Sequence, residues 1–401
     1  MIELRILIFQ GQSQYDVLRE SSRRTAGAFR ELGHETFIFD MMLWTPQDYL
    51  NIIQEFKPDF TFGSNPVCYY INEKLHYEYT NIPHFVRLGD SPYYHLFDRA
   101  LRDPNHPLVY TLGAETSFIK QMNDMGFDRI SRLKTFASEK VFQHEDVHAY
   151  RPYPVVFFGS IKPPEEYIKS AKQNLRGSVR ANVLDFIAML PEWMEQRGIF
   201  LPVPIDQCFA EFLQLEDKVS IEDRNMLLRT VYPYIDGYYR NYTREHVLTQ
   251  FAEHGVPMYV FGNDYIKQKL SPYKHVRSFN PVSFKQCLEI YAKSKVVLNI
   301  TPMFFYAHER ISHSITNGAV LCSSLMPDLI DEIPEMLESS LFYTWGTIGD
   351  TAEAVKQVLD DPSLRMQLVG KCKQITEQYF EPKRNAEEII AIYRQVFCEQ
   401  S

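Results

Sequence analysis

The sequence contains no apolar run of the roughly 18–20 residues that a membrane-spanning helix needs, so no membrane span is expected. Its opening, MIELRILIFQG, places an acidic residue ahead of a short apolar run. It has neither a basic leader nor a small-residue cleavage site, which predicts a first β-strand rather than a signal peptide and a cytoplasmic protein. Cysteine is sparse: six residues (Cys68, Cys208, Cys287, Cys322, Cys372, Cys398) are scattered with no C-x-x-C pair. That spacing gives no support to a disulfide framework or a zinc site, and no metal is expected. Basic excess is missing too, since 42 Lys and Arg face 51 Asp and Glu for a net charge of −9. A general nucleic-acid binder is thereby disfavoured, although a local basic pocket for a diphosphate is compatible with that balance. Neither a G-x-G-x-x-G fingerprint nor a Walker A loop occurs, so NAD and ATP have no support and no cofactor is expected. Internal repeats and low-complexity tracts are absent as well.

What the chain does have is alternation. Its 401 residues, 45% hydrophobic and 23% charged, suit two α/β domains of about 150–200 residues each. The apolar run LRILIF (4–9) leads through a polar loop to a helix at about 15–32, ended by Gly33. Strands follow at 36–40, 59–63, 82–90, 108–113 and 130–137, with helices after Pro46 and at 116–125. Pro152 and Pro154 mark a break, and PVVFFGS (154–160) opens a second series. Residues 163–240 read as helix-rich, with amphipathic stretches near 178–190, 206–215 and 222–235. The helix at 244–254 and strands at 257–262, 295–300 and 320–324 resume the alternation, and three helices near 350–360, 363–379 and 383–398 close the chain. Such alternation implies mainly parallel sheets with helices on both faces. The expected boundaries are 1–152 for the first domain, 153–382 for the second with its helical insertion 163–240, and 383–401 for a final helix.

Ligands of open α/β sheets sit beyond the carboxyl ends of strands, often at helix N-termini. Four turns qualify: Gly11, Gly63-Ser64-Asn65, Gly262-Asn263 and the stretch after Asn299; a lone glycine there is also an ordinary turn signal. The segment LNITPMFFYAHERISHSITNGAVLCSS (298–324) says more. It passes from a buried strand through an aromatic loop into a short helix, then Asn317, Gly318 and another strand. His308, Glu309, Arg310 and His313 fall at that helix's start, and Arg310 is a fixed cation suited to a diphosphate. The same cluster also reads as a solvated helix start. His144-Glu145-Asp146-Val147-His148 matches H-E-x-x-H, but Pro152 and Pro154 end any helix there and no third ligand follows, so it is not read as a zinc site.

The ordered set of motifs resembles GT-B glycosyltransferases, in particular the spore-maturation-protein group. The stretch 298–324 is similar to that group's donor-site signature. YYRNYTREHVLTQFAEHGVPMYVFGN (238–263) resembles its Arg-led helix and following strand, and VVFFGS (155–160) its opening C-terminal strand. RLGDSPYYH (87–95) with VYTLGAETSFIKQMNDMGF (109–127) resembles the end of its N-terminal domain. The resemblance spans about residues 80–325. It implies two Rossmann-like domains facing each other, with the last helix crossing back to the first, and a nucleotide-sugar donor, UDP-sugar above others. By the same resemblance Arg244 and Arg310 neutralise the donor diphosphate, Asn299 shapes the loop beneath it, and Tyr306 or Phe304 stacks on the base. His313 departs from the pattern, since the resemblance places a ribose-binding Glu five residues before the Gly, and Phe305 stands where a second Glu is expected.

The expectation that follows is a metal-independent glycosyltransferase in which arginines stabilise the nucleoside diphosphate as it leaves. Inversion requires a base for the acceptor hydroxyl; Asp90 in GDSP is the first candidate and Asp16 the second, while Asp90 also reads as a turn or N-cap carboxylate. Two alternatives stand beside it: a nucleotide-sugar epimerase on the same fold, and an inactive GT-B-fold partner protein. The acceptor is left open between protein, glycan and small molecule, and the insertion 163–240 between bordering the acceptor cleft and contacting another copy.

Overall fold

The computed structural model describes residues 3–11, 16–64, 70–95, 105–133, 150–197, 202–215, 219–306 and 308–399. The chain divides into two compact units, residues 1–137 with 380–401 and residues 138–379. The H-E-x-x-H segment at 144–148 and Asn65 lie outside the described residues.

The first unit is built on strands β1 (Arg5–Phe9), β2 (Glu35–Phe39), β3 (Phe60–Ser64), β4 (His84–Leu88), β5 (Val109–Gly113) and β6 (Ile130–Arg132). They form one parallel sheet in the order β2-β1-β3-β4-β5-β6, with Ile6 facing Thr36 on one side and Phe60 on the other. Parallel strands covered on both faces need unbroken apolar runs, and Ile6, Leu7, Ile8 and Phe9 are all fully buried. Helix α1 (Val17–Glu31) packs on the sheet and stops before Gly33, whose φ of 82° suits a residue without Cβ. Helix α2 (Pro46–Phe56) starts on a capping box: Thr45 Oγ1 accepts from the Asp48 backbone N–H while Asp48 accepts from that of Thr45. Helix α3 (Thr116–Asp124) follows β5.

The second unit repeats the plan. Strands β7 (Tyr153–Phe158), β8 (Met258–Phe261), β9 (Val276–Phe279), β10 (Ser294–Asn299), β11 (Val320–Ser324) and β12 (Leu341–Tyr343) form a parallel sheet ordered β9-β8-β7-β10-β11-β12. Between β7 and β8 lie helices α4 (Pro164–Asn174), α5 (Gly177–Arg197), α6 (Ile205–Phe212) and α7 (Ile221–Glu253). Then come α8 (Asp264–Leu270), α9 (Phe284–Tyr291), α10 (Glu309–Thr316), α11 (Ile348–Asp360) and α12 (Pro362–Tyr379). The last helix, α13 (Pro382–Tyr393), belongs to the first unit: Ala386, Ile389 and Ile390 join Ile6, Ile8, Phe29, Phe60 and Phe85 in one core cluster. The expected return of the C-terminal helix to the first domain is therefore present.

Two details differ from expectation. Helices read separately at 222–235 and 244–254 are one 33-residue helix, α7, that runs through Pro233. The intervening stretch loses its amphipathic signature because Asp236, Gly237, Tyr238, Tyr239, Asn241 and Thr243 are all buried. The edge strands β9 and β12 escaped notice because they are short and, in β9, half exposed with an arginine inside.

Candidate functional site

In the second unit the strand ends β7, β8 and β10 converge on one edge, and small residues let the chain crowd there. Gly159 N–H donates to Phe261 O at 3.0 Å, and Gly262 N–H to Phe279 O at 3.0 Å. A Cβ on Gly262 would stand 2.7 Å from Gly159 O, so only glycine fits. Asn263 then clamps the turn after β7, accepting from Ile161 N–H at 3.2 Å and donating to Ile161 O at 2.9 Å. Asn241 of α7 accepts from Lys162 N–H at 2.9 Å and donates to Gly237 O and the Tyr167 hydroxyl. The turn is thus held from both sides before any ligand arrives.

Over it stand cations. Asp236, Arg240 and Arg244 recur every four residues and so share one face of α7. Arg240 Nη2 pairs with the fully buried Asp236 at 2.7 Å, and Arg244 Nε reaches Ile300 O, just past β10, at 3.4 Å. Arg310 comes from α10; its Nη2 would lie 3.8 Å from a Cβ on Gly159, and its Nη1 is buried without a hydrogen-bond partner. Arg244 and Arg310 both keep part of their surface open to solvent. Burial first, then the charges of Arg310 and Arg240, push the Arg244 guanidinium down to about 9. It remains protonated at neutral pH, but in a site where positive charge is undercompensated. His308 caps α10, its Nδ1 accepting from Arg310 N–H at 3.2 Å. Burial and the neighbouring Arg310 and Arg244 hold its imidazole well below the ordinary value. It is therefore neutral, with its proton on Nε2, because Nδ1 is already an acceptor. Fixed guanidiniums, a neutral donor and the N-terminus of α10 are groups whose chemistry can hold an anion such as phosphate.

A profile of a family described as glycosyl transferase-like matches residues 240–391, the span that carries Arg240, Arg244 and Arg310. None of the curated proteins matches the chain in sequence. Among solved structures, a glycosyltransferase from Rickettsia africae superposes with a TM-score of 0.53 at 9% identity, covering 99% of both chains. The Anabaena HepE protein, solved with UDP-glucose, gives 0.53 at 12% identity over 98% of this chain and 100% of its own. Sucrose-phosphate synthase from Thermosynechococcus elongatus gives 0.53 at 8% identity over 98% and 99%. The fold is GT-B. Two six-stranded parallel sheets, each in its own unit, are the shared architecture.

The GT-B frame sorts the remaining sequence candidates. Asn299 ends β10 fully buried, donating to Thr301 Oγ1 at 3.0 Å and Ser323 Oγ at 2.9 Å, so it pins the loop below Arg244. Tyr306 is buried with its hydroxyl on Glu332 at 3.1 Å, and Phe304 meets the His308 ring edge-on at 4.8 Å. Glu309 opens α10 half-buried, and its carbonyl accepts from Ser312 Oγ at 2.9 Å. His313 is buried, edge-on to Phe284 with ring centroids 5.0 Å apart. Asn317 and Gly318 sit at the far end of α10, about 12 Å from its start at 1.5 Å per residue. There Arg151 Nη2 donates to Asn317 O at 3.3 Å, and Gly318 takes φ 72°; these two end the helix and are not brought to the arginines.

Gly11 and Asp90 belong to the first unit. A Cβ on Gly11 would meet Leu18 Cβ at 2.8 Å, and its N–H donates to Ser22 Oγ at 3.3 Å, so this glycine lets α1 approach the end of β1. Asp90 follows β4 at the carboxyl edge of the first sheet, half-buried, beside Ser91, whose hydroxyl donates to Gln121 at 2.7 Å. Asp16 takes the left-handed conformation before α1 and lies 3.7 Å from Arg19. The residues that sequence reasoning missed are Arg240, Asp236, Asn241 and Gly159. The four-residue spacing of 236, 240 and 244 was the available signal, visible only once α7 is read as one helix.

Proposed function

We propose that the chain is a glycosyltransferase that moves a sugar from a UDP-sugar to an acceptor. The observation that carries this reading is the group of Arg240, Arg244 and Arg310 at the strand ends, with Asp236 as the buried carboxylate paired to it. As the bond between sugar and diphosphate breaks, negative charge grows on the leaving UDP; fixed guanidiniums aimed at it are worth more in that partly desolvated site than in water. Arg244 and Arg310 take the diphosphate, Arg240 reinforces them, and His308 Nε2–H donates to a phosphate oxygen. Because the positive charge comes from side chains, transfer is expected to be insensitive to EDTA. Asp90 is the base proposed for the acceptor hydroxyl. The matching family profile and the GT-B structures, one of them solved with UDP-glucose, support the class of reaction and the choice of nucleotide.

Calorimetry with UDP, on the wild-type chain and on Arg310→Ala, tests the donor site. Saturable binding that the substitution removes supports it, and unchanged affinity in the variant overturns it. A second reading, a partner protein that binds nucleotide without turnover, is favoured by His313, which stands buried where the resemblance places a ribose-binding Glu. UDP release from a panel of UDP-sugars separates the two: release that depends on an added acceptor extract supports transfer, while binding with no release supports the second reading.

A further inference from the structure

A second cationic surface lies on the same sheet at its other edge. An open groove of about 660 Å³ is lined by Arg151, Lys274, Arg277, Lys295 and Arg365, with Tyr150, Tyr259 and three prolines among the rest of its wall. Its residues come from the starts of β7, β8, β9 and β10, with Arg365 added by α12, whereas Gly159, Gly262 and Asn299 mark the strand ends. All these strands are parallel, so the groove sits a full strand length from Arg310. It is not an extension of the proposed donor site.

Among the described residues the groove is lined by no carboxylate, in a chain whose net charge is −9. Among the described residues, none of its five cations makes an ion pair. Arg151 donates to two backbone carbonyls, Ser294 O at 2.8 Å and Asn317 O at 3.3 Å, which fixes its position without neutralising it. Lys295 Nζ reaches Leu359 O at 3.4 Å, and the Arg277 guanidinium lies 5.5 Å over the Tyr259 ring. Arg365 Nη1 is buried with no hydrogen-bond partner. Like charges gathered without counter-charges destabilise the folded state, and an unsatisfied buried N–H adds to that cost. Pro152, Pro154 and Pro257 stiffen the backbone around the groove, so little order has to be gained on binding. The exposed Tyr150 ring, 86% accessible, stands at its rim.

We infer that this groove is a second anion site that takes a ligand carrying several phosphate groups in series. A volume of this size falls within the range of about 300–1,000 Å³ typical of small-molecule sites. The spread of cations over the starts of β7, β9 and β10 and onto α12 matches a linear polyphosphate better than a single phosphate. An inorganic chain and a nucleoside triphosphate share that chemistry; the latter adds a base that can stack on Tyr150.

The test is calorimetric titration of the full chain with inorganic tripolyphosphate, and separately with ATP, at about 0.15 M salt, where charges more than about 8 Å apart are screened. The expected result is saturable one-to-one binding, retained in Arg310→Ala and weakened at least tenfold in Arg277→Gln/Lys295→Gln. Arg277 is exposed and Lys295 half-buried on the surface, so the double variant is expected to fold; a melting temperature without ligand no lower than that of the wild type verifies this, and the exposed pair Lys274→Gln/Arg277→Gln serves if it does not. Tighter binding of ATP, lost in Tyr150→Ala, identifies the nucleotide as the source; equal binding of both identifies the phosphate chain alone. Unsaturable binding, or binding lost in Arg310→Ala and retained in the groove variants, overturns the inference. The second of those outcomes would leave the donor-site reading intact.

Discussion

Arg310 and Arg244 perform different physical work, and substituting them separates the contributions. Arg310 has a buried Nη1 with no hydrogen-bond partner, so Arg310→Ala removes little that the ligand-free fold uses. Truncating one partner of a desolvated charge contact costs about 2–5 kcal/mol; UDP affinity is expected to fall at least thirtyfold while the melting temperature stays within about 2 °C. Arg244 is a cation held among other cations. Replacing it with Met keeps volume and removes a charge that burial and the neighbouring Arg310 and Arg240 disfavour. Arg244→Met should therefore raise the ligand-free melting temperature and abolish the UDP-induced shift. The pH sign can be worked out. The folded guanidinium titrates near 9 against an unfolded 12.5, so below pH 9 both states are protonated and the full penalty applies. Above it the unfolded chain holds the extra proton and folding gains up to about 1.4 kcal/mol per pH unit, less what residual solvent screens. The stability advantage of Arg244→Met is expected to shrink between pH 9 and 10.5 in urea unfolding; a gap that widens would contradict the assignment.

At the scale of elements, α7 and β4 each carry a test. A Cβ on Gly237 would lie 2.2 Å from Tyr167 Cε1, so α4 and α7 cross where one of them has no side chain. Ala is the better helix former by about 1 kcal/mol, yet Gly237→Ala is expected to destabilise by about 1–3 kcal/mol through overpacking. Tyr167→Leu should recover most of that loss, as equilibrium unfolding of the double variant would show. In β4, His84 is fully buried, with Nδ1 2.8 Å from Thr61 Oγ1, and burial pushes its imidazole down to about 3. Its folded form is neutral, so stability is complete above pH 6.5 and is lost by up to about 1.4 kcal/mol per unit as pH falls below that. His84→Asn is expected to flatten that slope in the unfolding of the first unit. Legibility varies at this same scale. The central strands β1, β7, β10 and β11 could be read from sequence because burial on both faces demands unbroken apolar residues. The edge strand VRSF, and the buried middle of α7 with its glycine and four-residue rows of charge, follow no single period and were missed. Arg310 stood out as a fixed cation at a helix start and Arg244 came by resemblance; Arg240 was not found, because its alignment with Arg244 shows only once α7 runs unbroken from Asp236 to Arg244. Asn317 and Gly318, neighbours of the site in sequence, are carried to the far edge by the length of α10, a separation that spacing along the chain does not reveal.

On the scale of the whole molecule, the chain order and the spatial division disagree at one place, and that disagreement has consequences. The first unit closes only with residues 380–401, which α13 supplies after the chain has built the entire second unit. Ala386, Ile389 and Ile390 are at most 5% exposed, and they pack against strands and α1 of the first sheet, while Tyr393 stacks near Phe60 with centroids 4.9 Å apart. Burying the two isoleucines is worth about 1.5–3 kcal/mol for each side chain, a large share of the 5–15 kcal/mol that stabilises a typical domain. A chain ending at Tyr379 should therefore leave the first unit marginal or unfolded. The second unit, which holds every residue of the proposed diphosphate site, keeps its own core. The expected outcome is protease cleavage confined to residues before 138, a surviving fragment of the second unit, and UDP affinity within a few-fold of the full chain. Loss of UDP binding alongside an intact second-unit fragment would mean that residues of the first unit contribute to holding the nucleotide.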